Sequence, residues 1–349
     1  VIESDGPTTG PTIRENRTMS ASKNRNPRAR RRSPARRAFT PSAGDRLEPR
    51  VVPAAYIDAG FLMITGSDAA DVVSIRSEVP GNPNSRIKVV ENGVTTYFER
   101  RLITRDQVNF QGRGGNDYLD AYSFSQLRIS ASGGEGHDVL SGSTNADILS
   151  GGAGNDTIYG QEGNDAIYGE DGHDVIGAGD GFDTVYGGAG NDTIRGEMHA
   201  DTLFGDADND WIEGQDGNDR IWGGEGRDTV SGGVHDDSLM GEGGDDVLYG
   251  ELGRDTLYGN DGQDAMYGGD DVDILYGGFG NDLMDGGFAD DNLYGEPGAD
   301  TMFGSSGDDV LWGDNWGNPW GGEGNDVLYG GDGMDTLVGE QGNDTLQGD

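Results

Sequence analysis

The sequence predicts an all-β protein: a right-handed parallel β-roll, a β-solenoid of 18-residue coils, preceded by an irregular β cap and a disordered basic tail. Three observations carry the prediction. A glycine-rich frame of nine residues repeats without a slip, each frame holds one aliphatic residue at a fixed place, and 65 of 349 residues are glycine. A unit that small cannot bury its apolar side chain alone, so it must stack on copies of itself.

The frame runs from Gly133 to Trp312 as 20 consecutive nonads, opening GGEGHDVLS, GSTNADILS, GGAGNDTIY, GQEGNDAIY and closing on GSSGDDVLW. Position 1 is glycine except at Ala178. Position 4 is glycine or one of Asn145, His199, Asp208, His235, Asp271 and Ala289. Asparagine, aspartate and histidine tolerate positive φ better than most side chains, so position 4 is predicted to be left-handed, with Ala289 the one misfit. Position 6 is aspartate throughout, and position 8 is Leu, Ile, Val or Met, as in Leu140, Ile158, Val185 and Met266.

Each nonad is therefore predicted to be a six-residue turn followed by a three-residue strand whose middle side chain points inward. Two nonads close one coil, and the coils stack into two parallel sheets across a thin core. Three further nonads at 321–347 continue the roll, and the chain stops two residues into another, so truncation is expected. An earlier isolated nonad is Gly112–Asp120.

Charge separates the chain into two unlike parts. Residues 1–110 carry 18 basic and 12 acidic side chains, while residues 111–349 carry 6 and 52. A body so acidic repels nucleic acid and anionic lipid and repels itself unless cations bind it. Its natural partner is a cation, and neither nucleic acid nor a membrane span is expected. No apolar run approaches the roughly 18 residues of a membrane helix. With no cysteine there is no disulfide framework and no thiolate metal site, so any stapling falls to oxygen ligands. Stapling is needed, because nine residues are ordered for each aliphatic side chain buried, and the aspartate columns bring like charges together.

The pattern G-G-x-G-x-D-x-U-x, met at every defined position by GGAGNDTIY at Gly151, resembles the hemolysin-type calcium-binding repeat of the RTX family. The resemblance covers about two thirds of the chain. It implies several Ca2+ ions held between turns of neighbouring coils, by position-6 carboxylates and backbone carbonyls of nonads n and n+2. The metal ligands carried over are Asp138, Asp156, Asp165, Asp174, Asp183, Asp192, Asp219, Asp228, Asp246, Asp255, Asp264, Asp282, Asp300 and Asp309, then Asp326, Asp335 and Asp344. The six nonads whose position 4 departs from glycine are expected to hold weaker or empty sites. Six to eight oxygens in flexible geometry suit calcium, whereas magnesium demands a tight octahedron.

No catalytic machinery is expected. His137, His173, His199 and His235 fall at turn positions 5 or 4, where they replace Asn or Gly, and their spacing follows from the repeat. Neither H-E-x-x-H nor G-x-S-x-G occurs, so the metalloprotease and lipase routes have no motif. Position 9 is often aromatic, as at Tyr159, Tyr168, Tyr249, Tyr258, Tyr267, Tyr276, Tyr294 and Trp222, and faces outward. Ladder packing is the plain reading of that row, and contact with a surface glycan or cell is the alternative. Between the arrays, GDNWGNPW at 313–320, with Trp316 and Trp320, is predicted to be a bulged turn that interrupts one calcium edge.

Residues 1–50 are predicted to be a disordered basic leader, with the run KNRNPRARRRSPARR from Lys23 to Arg37. The stretch RLEPRVVPA that follows is similar to a segment at the start of some exported bacterial surface proteins. Residues 51–132 alternate apolar and polar in short runs and contain GSDAADVVS, a decayed nonad with Asp71 at position 6 and Val73 at position 8. The function expected is calcium binding by a secreted, extracellular roll that folds on calcium outside the cell and serves a structural or surface role. The alternatives are a non-catalytic part of a larger RTX toxin or secreted enzyme, and a surface adhesin.

Overall fold

Aliphatic residues spaced nine apart arrive on alternate sides of one flattened tube. In the computed structural model, which describes residues 55–80, 82, 84–122, 124–314 and 324–348, two parallel sheets of 15 and 16 strands face each other. The leader at 1–50, Trp316 and Trp320 lie outside the described residues. Consecutive strands alternate between the sheets, so each pairs with the strand two along: Ile148 aligns with Ala166 and Thr157 with Val175, a shift of one 18-residue coil. The position-8 side chains from Leu140 to Leu311 are fully buried in one continuous core.

The strands are longer than the nonad suggests. Thr157–Glu162 and Ala166–Asp171 each span six residues, positions 7 to 9 and then 1 to 3 of the next frame, which leaves a turn of three. The six-residue turn and three-residue strand expected above are corrected accordingly. Glycines extend the ladder here because position 1 faces inward, where its own nonad's carboxylate fills the space. A Cβ on Gly151 would lie 2.3 Å from Asp156 Oδ2.

Left-handed backbone occurs at position 4 as expected for His199, Asp208, His235 and Asp271, and also for Ala289 at φ 83°; Asn145 is not among the positive-φ residues. Position 2 is left-handed as well, at Gln161, Glu170, Glu197 and Glu251 among others. Residue type conceals this second site, since long polar side chains are not the usual mark of positive φ.

The N-terminal edges are closed by antiparallel strands. β1 (Ala55–Asp58) and β2 (Phe61–Thr65) form a hairpin through Ala59 and Gly60, and β2 begins the parallel part of the 15-stranded sheet. β3 (Val72–Ser77), β4 (Ile87–Glu91) and β5 (Val94–Phe98) form an antiparallel meander on the other sheet, with Asn92–Gly93 as its two-residue turn. Both turns have positive φ at both central residues, the type I′ geometry that matches strand twist. β3 also pairs in parallel with the strand Tyr118–Asp120, which aligns Val73 with Leu119 and sets the decayed nonad in register with the array.

The insertion breaks neither sheet. Thr301 pairs with Val327 and Val310 with Thr336, a shift enlarged by eight residues. The predicted interruption of one edge is corrected: Asp300 N–H still donates to Asp326 Oδ1 at 2.9 Å. The glycine packed against Asp326 Oδ2 is Gly313, so the column keeps its spacing from one side of the insertion to the other.

Candidate metal centre

At each bend the strand ends in three residues that present backbone oxygens and one carboxylate. The carboxylates align into two columns, one along each edge of the roll. In one, Asp71 N–H donates to Asp117 Oδ1, Asp117 to Asp138, Asp138 to Asp156, and so on to Asp326 and Asp344. In the other, Asp147 N–H donates to Asp165 Oδ1 and the chain of bonds reaches Asp309 and Asp335. Every one of the 17 aspartates expected as ligands stands in one of these columns.

The columns also take in aspartates set aside on sequence grounds. Asp147, Asp201, Asp210, Asp237, Asp273 and Asp291 are as buried as the rest; five of them accept the aspartate amide of the preceding coil, while Asp147 Oδ1 accepts from Ile129 N–H instead. At five of the six turns the departure at position 4 leaves the backbone unchanged, because histidine, aspartate and Ala289 adopt the left-handed state too; Asn145 does not. Asp117 belongs as well, and its nonad GRGGND was the available signal.

Each carboxylate is half satisfied. From Asp117 to Asp326 the Oδ2 atoms of both columns are buried without a hydrogen-bond partner, except at Asp147, whose Oδ2 accepts from Ser143 N–H. An orphaned anionic oxygen is costly unless a cation meets it. Neighbouring turns also approach through their carbonyls: a Cβ on Gly154 would lie 1.8 Å from the Gly136 oxygen, and one on Gly172 2.0 Å from the Gly154 oxygen. Among the described residues no three Asp, Glu or His side chains converge. The donor set is therefore carboxylates from adjacent coils together with turn carbonyls, hard oxygen that suits calcium rather than a soft metal.

Burial pushes these carboxyls toward their neutral form. Asp165 rises to about 8 and Asp201 to about 9, through desolvation first and then the charges of column neighbours, against the pull of the amide each accepts. A cation between the turns would supply the charge needed to keep them ionised.

The histidines take part in turn structure. His137 Nδ1 accepts from Asn155 N–H and His173 Nδ1 from Asn191 N–H, both at 2.7 Å, and Asn155 Oδ1 accepts from His173 N–H. At position 5 histidine thus substitutes for asparagine as an acceptor. At position 4, His199 lies 2.9 Å from Asp180 and His235 3.4 Å from Asp216.

The position-9 rings stack on one another. Tyr168, Tyr186, Phe204 and Trp222 form one run with centroids 4.6–5.2 Å apart, and Tyr258, Tyr276 and Tyr294 another at 5.0 Å. Their faces cover each other, so the outer surface of these runs offers ring edges.

Comparison with known proteins agrees with this geometry. The family model for the RTX calcium-binding nonapeptide repeat matches overlapping stretches that span residues 132–315 and again 320–349. No curated protein matches. Among solved structures, a hyperactive, Ca2+-dependent, β-helical antifreeze protein from an Antarctic bacterium is 21% identical over 69% of this chain and 78% of its own, with a TM-score of 0.37. With repeat model and coil geometry in agreement over most of its length, the chain belongs to the RTX calcium-binding nonapeptide repeat family, a β-roll that binds multiple calcium ions.

Proposed function

We propose that this chain is a secreted rod whose coils take their folded form on meeting calcium outside the cell, with a structural or surface role once folded. The observation that carries the reading is the pair of columns of buried Oδ2 atoms with no partner. In the absence of a divalent cation each coil adds desolvated like charge to its neighbours, which opposes stacking. With calcium, the same carboxylates join adjacent turns, so binding free energy becomes folding free energy. All 17 aspartates named from the sequence act as ligands in this reading, and so do five of the six at atypical turns; Asp147, with both oxygens held by Ile129 and Ser143, keeps the weaker site expected of it.

A low-calcium interior would hold the chain unfolded for export, and millimolar calcium outside would fold it. Among the described residues no helix is long and apolar enough to cross a membrane. The test is far-UV circular dichroism of the full chain across a calcium titration, with magnesium as control and a chelator to reverse it. A cooperative coil-to-β transition with calcium alone is expected. A β signal indifferent to the chelator would leave the roll self-sufficient and remove calcium as its trigger.

A further inference from the structure

One coil of the roll lacks the side chain that its neighbours present on the outer face. Position 9 of the nonad 169–177 is Gly177, the single glycine at that position among the 20 consecutive frames, and the next outward position of the same strand is Gly179. In the ladder Gly177 lies between Tyr159 and Arg195, and Gly179 between Gln161 and Glu197. With both side chains missing, a hollow of about 700 Å³ opens on this face.

A ring and a carboxylate converge over it. A Cβ on Gly177 would lie 3.4 Å from Tyr159 Cδ1 and 3.2 Å from Glu197 Oε1. Glu162 and Asp180 line the same hollow, and Tyr122 forms a further wall. Tyr122 stands on the loop of a coil that spans 21 residues where a regular one spans 18. Buried Phe124 anchors that loop, its carbonyl accepting from Thr144 N–H at 3.2 Å.

The chain's own cations do not serve these carboxylates. Arg195 donates to Glu213 at 2.8 Å, and among the described residues Glu162 and Glu197 join no ion pair. Asp180 has His199 at 2.9 Å. None of the three belongs to the position-6 columns, so calcium held between the turns would leave their charge in place.

The cap shows what a tyrosine and a glutamate so placed can hold. Arg86 lies 4.9 Å over the Tyr97 ring, and its guanidinium donates to both oxygens of Glu78 at 2.8 and 2.6 Å. A guanidinium suits such a pair because its face stacks on a ring while its edge meets a carboxylate. Over Gly177 the same two groups face a hollow that no basic side chain of the described residues lines.

We propose that this hollow binds a guanidinium group, stacked on Tyr159 and paired with Glu197, with Glu162 adding to the attraction. The site goes beyond calcium binding and draws on none of the column carboxylates.

The experiment is isothermal titration calorimetry of the calcium-loaded full chain at physiological salt, with agmatine as the probe. One saturable site per chain is expected. Gly177 is not among the positive-φ residues, so Gly177→Tyr restores the ring that position 9 carries elsewhere; the roll should melt no lower while agmatine binding is lost. Glu197→Gln should weaken agmatine about tenfold by removing the charged partner, and Tyr159→Ala about threefold. Glu242→Gln, at the same frame position on the other sheet, should leave binding unchanged. An arginine tripeptide amide titrated beside agmatine tells a polypeptide side chain from a free small molecule as the source of the group. Binding that survives Gly177→Tyr, that fails to saturate at one site, or that falls equally in Glu242→Gln and Glu197→Gln would overturn the proposal. Displacement of agmatine by a neutral disaccharide would overturn it too, and make the hollow a sugar site.

Discussion

Asp138 N–H donates to Asp156 Oδ1 at 2.7 Å, eighteen residues further along the chain. One oxygen of the carboxylate thus holds the preceding coil, and the other, Asp156 Oδ2, is buried without a partner. On the calcium reading proposed above, structural support and cation binding would be divided between two atoms of one side chain. This division explains why aspartate is invariant in the array: asparagine could accept the amide but would bring no charge.

That division predicts the behaviour of the atypical turns. Asp237 follows His235 and Asp246 follows Gly244, yet both carboxylates are buried and both accept an amide at 2.8 Å or less. Asp237→Asn and Asp246→Asn should raise the calcium midpoint of folding by similar factors. Circular dichroism titrations of the two variants provide the check, and a silent Asp237→Asn would restore the weaker-site expectation.

In the metal-free chain, stability should fall as pH rises. Burial raises the folded-state carboxyls, to about 8 at Asp237 and Asp300 and about 7 at Asp246 and Asp282, against 3.8 for the ordinary group. A raised group binds its proton more tightly when folded. Its contribution to stability is fully present below the ordinary carboxylate range and is lost as pH passes through about 7 to 8. In chelator, β signal should be greater at pH 5 than at pH 8. With calcium the order should reverse, because the ion needs ionised ligands.

Truncation of a core residue should be costly but local. Ile212 is fully buried at position 8 between Ile194 and Val230, and Ile212→Ala should cost about 2 to 5 kcal/mol. Denaturant melts in saturating calcium, with hydrogen exchange to locate the opening, should show protection lost first in the coils around 194–230. Uniform loss along the rod would contradict a core in which each coil leans only on its neighbours.

The aromatic rows predict a contrast between two tyrosines. Tyr276 is stacked between Tyr258 and Tyr294, whereas Tyr159 lies between Ser141 and Gly177 in its ladder and is 41% exposed. Tyr276→Ala should destabilise the calcium-loaded roll by about 1 to 3 kcal/mol from the two stacks. Tyr159→Ala should cost less in the same melts. Equal losses would show that ring stacking is not what the rows contribute.

Periodicity made the coil legible. The fixed Asp at position 6 and aliphatic residue at position 8 are enough to predict two sheets, the core from Leu140 to Leu311 and the carboxylate columns, because one misplaced residue would turn a side chain to the wrong face. Less was legible where backbone sets the conformation. The left-handed state at Gln161 and Glu170 has no marker in residue type, and strand length depended on knowing that Gly151 faces the Asp156 carboxylate. Across the insertion the sequence frame restarts at Gly321, whereas the fold counts from Gly313, which packs against Asp326 Oδ2.

All the column bonds point the same way. Each carboxylate reaches back to the amide of the coil before it, never forward, from Asp117 onto Asp71 to Asp344 onto Asp326. The rod therefore has polarity. A coil added after the last one brings a carboxylate to an amide already in place, and a coil added before the first brings an amide to a carboxylate, so the two ends of the stack present different groups.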